Sequence, residues 1–196
     1  MSVDILLKET EALPLPMDVL HKMAGKGNAC RVITYDHIAK AHKLSDVLNE
    51  THPYAIVLVM DHNKGGSVGH YIAIWLRDKK VFFFDAYAHR VKALLDLMGN
   101  SDALIRLVHA AGCTLVPNKK QFQEYGDKIS TCGRHCCVRL RLAEWEHQKY
   151  ARFMRSSLLN PDQIVTMLTM TYASGSDHHD ALGGAELDEV FSRFTT

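Results

Sequence analysis

Three of the five cysteines in this chain fall within six positions, in the run Ser130-Thr131-Cys132-Gly133-Arg134-His135-Cys136-Cys137. A thiol attacks only as its thiolate, and a free cysteine with a pKa near ~8.5 is mostly protonated at neutral pH. Two devices lower that pKa: the positive end of a helix and an imidazolium beside the sulfur. Ser130 and Thr131 are of the residue types that cap helix N-termini, so a helix beginning at Cys132 places this thiol at the positive end. Gly133 lets neighbouring backbone approach that end closely. Cys136 lies one turn further in, where the dipole is felt less, and Cys137 points elsewhere and reads as packing. Cys132 is therefore the candidate nucleophile.

A thiolate of this kind needs a histidine, and the chain has 12. Hairpin geometry selects His70. Residues 70–76 (HYIAIWL) and 81–87 (VFFFDAY) read as strands joined by the polar turn Arg77-Asp78-Lys79-Lys80. A two-residue loop at 77–78 sets His70 directly opposite Asp85, and one at 78–79 sets them diagonally on the same face. A three-residue loop would put them on opposite faces. On one face, the carboxylate fixes the ring's tautomer and stabilises its cation. Tyr71, next to the base, is placed to limit water. Acyl transfer also needs donors for a developing oxyanion. The Cys132 backbone amide is one. Gln121 and Gln123, in the loop ahead of it, are the candidates for the second, and Gln123 is the nearer.

These side chains require a sheet to carry the imidazole and acid and a helix to carry the sulfur. Residues 54–60 (YAIVLVM) are a continuous apolar run of strand length, and 30–35 and 113–116 read as shorter strands. Residues 61–69 form a glycine-bearing loop ahead of His70. Helices are expected over 17–24, 91–98, 102–111 and 161–172, with a helical turn at 45–48. A single long helix is expected over 132–152, with Leu140, Ala143 and Trp145 buried. Arg134, Arg139, Arg141, Lys149, Arg152 and Arg155 would make a solvated face. Residues 1–16 carry no clear pattern. Strands set among helices predict one α+β domain over 1–172. The shift to Gly, Ser, His and Asp predicts a flexible tail over 173–196.

The totals are compatible. The chain has 196 residues, 47% hydrophobic and 23% charged, with a formal net charge of +1, so gross electrostatics favour no polyanion. Adjacent Cys136 and Cys137 do not pair easily, and free thiols suit a reducing compartment. The early acids and prolines argue against a signal peptide, and no run approaches the ~20 apolar residues of a membrane helix. Zinc on Cys132, His135, Cys136 and Cys137 is the competing reading, but the spacing lacks the paired Cys-x-x-Cys pattern and no metal or other cofactor is expected.

The order His, acid, Gln, Cys, with GHYIAIW at 69–75, FFFDAY at 82–87 and STCGRHCCVRL at 130–140, resembles the adenovirus-type (adenain-like) cysteine proteases. The Cys-Gly-Arg-His form is most like the maturation proteases of polinton-type elements, virophages and large DNA viruses. The resemblance covers roughly residues 50–145. It implies the papain-like fold shared with small-ubiquitin-modifier proteases, a central mixed sheet flanked by helices. It implies a virion-maturation endopeptidase, in the virion and infected host cell, cutting capsid or core precursors after Gly-Gly or Gly-X. Cys132 would be nucleophile, His70 base, Asp85 its orienting acid and Gln123 the oxyanion support. Gly69, Tyr71 and Gly133 would line the substrate groove. Gln123 lies nine residues before the cysteine, where the family usually has six or seven. An activating peptide or DNA is a further partner the resemblance admits. An isopeptidase of the deubiquitinating or deSUMOylating type, or a non-catalytic virion protein keeping the fold, are the alternatives. Leu182-Gly183-Gly184-Ala185 resembles a Gly-Gly cleavage site in the tail, through which the enzyme would trim or dock its own C-terminus.

Overall fold

A computed structural model of the chain describes residues 3–126, 128–156 and 158–173. The tail and its Gly-Gly pair lie outside the described residues. The described part is an α+β fold built on a five-stranded mixed sheet in the order β1-β2-β3-β4-β5. The strands are β1 (Cys30–Thr34), β2 (Tyr54–Met60), β3 (Gly69–Arg77), β4 (Lys80–Phe84) and β5 (Thr114–Pro117). β2, β3 and β4 pair antiparallel, while β1 and β5 join the two edges in parallel.

The apolar runs are explained by burial on both faces. Ile56, Ala73, Trp75, Phe82 and Phe84 point into one core, and Val57, Ile72, Ile74, Val81 and Phe83 into the other. A strand covered on both sides shows no polar alternation, only a continuous apolar run. The first core is closed by α2 (Met17–Met23), α6 (Cys132–Arg141), α7 (His147–Phe153) and α8 (Pro161–Ala173). The second is closed by α3 (Tyr35–Lys40), α4 (Val91–Leu97) and α5 (Ala103–Ala110).

The β3–β4 hairpin closes through Asp78 and Lys79, whose φ values are +50° and +56°, with Arg77 paired to Lys80. Two left-handed residues in a two-residue loop match the twist of the flanking strands. Of the sequence alternatives, the structure takes the 78–79 loop.

α6 lies along β3 in the same direction. A Cβ on Gly133 would sit 3.4 Å from the Tyr71 ring, and the Arg139 guanidinium lies 4.5 Å over the Trp75 ring. Aligned this way, the first residue of α6 comes level with the beginning of β3.

The expected helix over 132–152 is two helices. α6 stops at Arg141, and the Arg139 side chain turns back to donate to the carbonyls of Leu142 at 2.5 Å and Trp145 at 2.8 Å. Carbonyls left open at a helix end need donors, and here a side chain supplies them and the chain bends. Arg134 and Arg139 are therefore not solvated: both are fully buried. Arg139 is held between Trp75 and Tyr150, its charge satisfied by carbonyls and ring faces.

One further helix, α1 (Val3–Glu11), has no readable stripe in the sequence. Leu7 is buried, but so are Thr10 and Glu11, while Ile5 and Leu6 face solvent, so apolar residues do not mark the inner face. No described helix is long and apolar enough to cross a membrane.

Candidate active site

The site forms where the start of β3, the end of β4 and the start of α6 meet. His70 is the second residue of β3 and Asp85 follows the last residue of β4. Extending the β3–β4 register by one step sets Ile72 across from Asp85, so His70 is its diagonal neighbour on the same face. The His70 Nε2 and Asp85 Oδ1 are 2.7 Å apart. That bond leaves Nδ1 for the sulfur, and His70 and Cys132 line one cavity, near enough for each to shift the other's pKa.

Burial by itself would push the His70 imidazolium towards its neutral form. The hydrogen bond to Asp85 and the nearby Cys132 sulfur, with the charges of both groups, outweigh it and lift the ring to about 10. Burial likewise works against the Cys132 thiolate. It is overcome by the neighbouring His70 and its charge, then by the backbone N–H groups of Tyr71 and Gly133, and the thiol is pulled below its ordinary value. Both shifts favour the charged forms, a thiolate beside an imidazolium. Burial raises Cys30 to about 12 and drives Cys136 and Cys137 upward too. Those thiols are inert, while Cys132 is half-buried and open to a cavity.

Asp85 is fully buried and densely held. Its backbone N–H donates to Asn118 Oδ1 at 2.9 Å, and Asn118 Nδ2 donates back to the Asp85 carbonyl at 2.8 Å. Oδ1 also accepts from the Tyr87 N–H at 2.9 Å. Oδ2 accepts from the His89 N–H at 2.8 Å and faces His89 Nδ1 at 2.7 Å. Burial disfavours this carboxylate's charge, but His70 and the two backbone donors keep its pKa below the ordinary aspartate range. Asn118 and His89 are positioning residues that the sequence did not single out. His89 lies four residues after the acid, a spacing that could have flagged it; nothing local marks Asn118.

Gln123 lines the same cavity as Cys132 and His70, and is 2% exposed. Its Nε2 has only a 3.5 Å contact to the Ile129 carbonyl, and its Oε1 is buried without a partner. Gln121 is exposed and instead donates to the Gln123 carbonyl at 2.8 Å. Of the two glutamines, only Gln123 lines the cavity that holds the thiol.

Two expected details change. Thr131 precedes the helix, but its side chain caps no amide; the hydroxyl donates to Asp162 on α8. Gly133 admits no close backbone either: its crowded neighbours are the Leu20 side chain, 2.9 Å from a built Cβ, and the Tyr71 ring. Gly69 is confined by packing too, since a Cβ there would lie 2.6 Å from Leu58 Cδ1.

The cavity over Cys132 has a volume of about 660 Å³. Gly69, Tyr71 and Gly133 line it, with Tyr87 and Tyr125 stacked at 4.6 Å along another side. Tyr87 also stacks on His70 at 5.1 Å. A larger cavity of about 790 Å³, rimmed by Lys119, Lys120, Arg152 and Arg155, lies away from the thiol. His135 and Cys137 turn to other partners, Asp162 and the Leu20 carbonyl, and no described group of three or more His, Cys, Asp or Glu is placed to hold a metal.

No protein-family model matches the chain. An uncharacterized protein, V9, of Sputnik virophage is a distant relative, 28% identical over 167 aligned residues that cover 73% of this chain and 87% of that protein. Among solved structures, the central domain of the uncharacterized Lpg1148 protein from Legionella pneumophila aligns with a TM-score of 0.41 and 19% identity, covering 93% of this chain and 96% of that one, a likeness too loose to argue from. The chain is thus similar to a virophage protein that itself carries no assigned activity.

Proposed function

We propose that this protein is a cysteine endopeptidase with the papain-like, adenain-like fold. The observation that carries the reading is the convergence of Cys132, His70 and Asp85: sulfur and imidazole line one cavity and shift each other's pKa, and the imidazole is hydrogen-bonded to the acid. The Cys132 thiolate attacks the carbonyl carbon of the scissile peptide. The oxyanion that develops accepts from the Cys132 backbone amide and the Gln123 side chain. The His70 imidazolium then gives its proton to the leaving amine, releasing the first product and leaving a thioester. Neutral His70 next takes a proton from water, whose oxygen attacks the thioester and frees the second product. Asp85 holds the ring throughout.

The substrate class follows the resemblance: capsid or core precursors of a virus, cut after Gly-Gly or Gly-X, in the infected cell or virion. The virophage relative is consistent with that setting. The test is cleavage of a fluorogenic peptide carrying Gly-Gly before the scissile bond, by the full chain and by Cys132→Ala. Cleavage abolished in the variant is the expected result; cleavage that survives it rejects the nucleophile.

A further inference from the structure

We propose that Asp162 is a positioning residue that sets the oxyanion site by tying the Gln123 loop to the start of the nucleophile helix. The inference rests on the reading of Cys132 as an acyl-transfer nucleophile. Asp162 is 1% exposed and is the second residue of α8. A carboxylate buried this deeply is costly unless donors surround it. Its partners come from two neighbouring segments that lie 27 to 38 residues earlier in the chain. Oδ1 accepts from the Thr131 hydroxyl and faces His135 Nε2 at 3.0 Å. Oδ2 accepts from the Glu124 backbone N–H at 2.8 Å.

Thr131 immediately precedes Cys132, and Glu124 immediately follows Gln123. One carboxylate is therefore bonded to the neighbour of each oxyanion donor, the Cys132 amide and the Gln123 amide. An acid in a first helical turn can simply complement its own helix, yet Glu124, Thr131 and His135, which bond the Asp162 carboxylate, all lie outside α8. The far side of the loop hangs from the carbonyl of Ala86, which accepts from Phe122 N at 2.8 Å and Gln123 N at 3.1 Å. Ala86 adjoins Asp85. The glutamine is thus pinned between the strand end that carries the acid and the helix that carries the sulfur. Oxyanion donors act through being fixed before the reaction, and a displacement of about 1 Å costs on the order of 100-fold in rate.

The test compares two reactions of the same sulfur. Iodoacetamide alkylates the thiolate by displacing iodide and develops no oxyanion. p-Nitrophenyl acetate acylates it: the S–C bond forms through a tetrahedral oxyanion, the ester C–O bond breaks, and p-nitrophenolate leaves with the electron pair. Both rates are read on the full chain, with Cys132→Ala subtracted as the blank for other thiols. Asp162→Asn keeps the size but cannot accept on both sides. It is expected to slow acylation roughly 10- to 100-fold while alkylation stays within about threefold of the parent, as a spared thiolate requires. Thr131→Val, which removes only the hydroxyl, should shift the same ratio in the same direction and stands in if the asparagine variant does not fold. Equal loss in both reactions, or no loss in either, overturns the proposal. A parent chain whose Cys132 reacts with neither reagent overturns the nucleophile reading itself.

Discussion

His70 and His89 share one carboxylate: Asp85 Oδ1 lies 2.7 Å from His70 Nε2, and Oδ2 lies 2.7 Å from His89 Nδ1. The two bonds are not equivalent in consequence. The His70 bond fixes which ring nitrogen faces the sulfur. The His89 bond steadies the acid from behind, where the His89 and Tyr87 backbone amides already hold it. Asp85→Asn is expected to lower kcat by roughly 10³-fold or more, because the amide can hold the wrong tautomer. His89→Asn should cost about tenfold or less, since the backbone donors remain. Comparable losses in the two variants would show that the acid acts on both imidazoles alike.

The thiolate–imidazolium pair predicts a pH profile. Alkylation of Cys132 should reach half its maximum below the ordinary thiol value, because His70 favours the charged sulfur. Peptide cleavage should fall again as His70 loses its proton near 10, since the leaving amine then lacks an acid. In His70→Ala only burial and the backbone donors remain, and burial raises a thiol pKa. The alkylation midpoint should therefore move above the ordinary value. A midpoint unchanged by His70→Ala would detach the histidine from the sulfur.

Gln123→Ala is expected to reduce kcat roughly 10²- to 10³-fold with KM little changed, the pattern of an interaction made only in the transition state. Gln121→Ala should leave both within about twofold, because the Gln121 side chain is exposed and its amide merely braces the Gln123 carbonyl. Steady-state kinetics on the two variants separates them; equal effects would remove the assignment.

Arg139 is a test of the fold rather than of the chemistry. Burial lowers its pKa to about 10, so it remains charged at neutral pH. Arg139→Ala leaves the carbonyls of Leu142 and Trp145 without a donor and opens a void between Trp75 and Tyr150. Chemical denaturation should report a loss of about 3 to 5 kcal/mol. A loss under about 1 kcal/mol would mean that the arginine is not integral to the turn after α6.

The sequence by itself determined the strands and the hairpin. Runs such as YAIVLVM and HYIAIWL must be buried, and once a two-residue loop joins 70–76 to 81–87, strand pleating puts His70 and Asp85 on one face. It also determined that a helix starts at Cys132. What it could not determine was where that helix lies. Only the packing of α6 along β3, with Gly133 against Tyr71 and Arg139 over Trp75, brings the sulfur level with the imidazole. The choice between Gln121 and Gln123 was likewise made by loop contacts to Ala86 and Asp162, and the break after Arg141 by a buried guanidinium that read as a surface charge. Local periodicity records which face of an element is apolar. Contacts between elements distant in sequence leave no mark on it, and those contacts assemble this site.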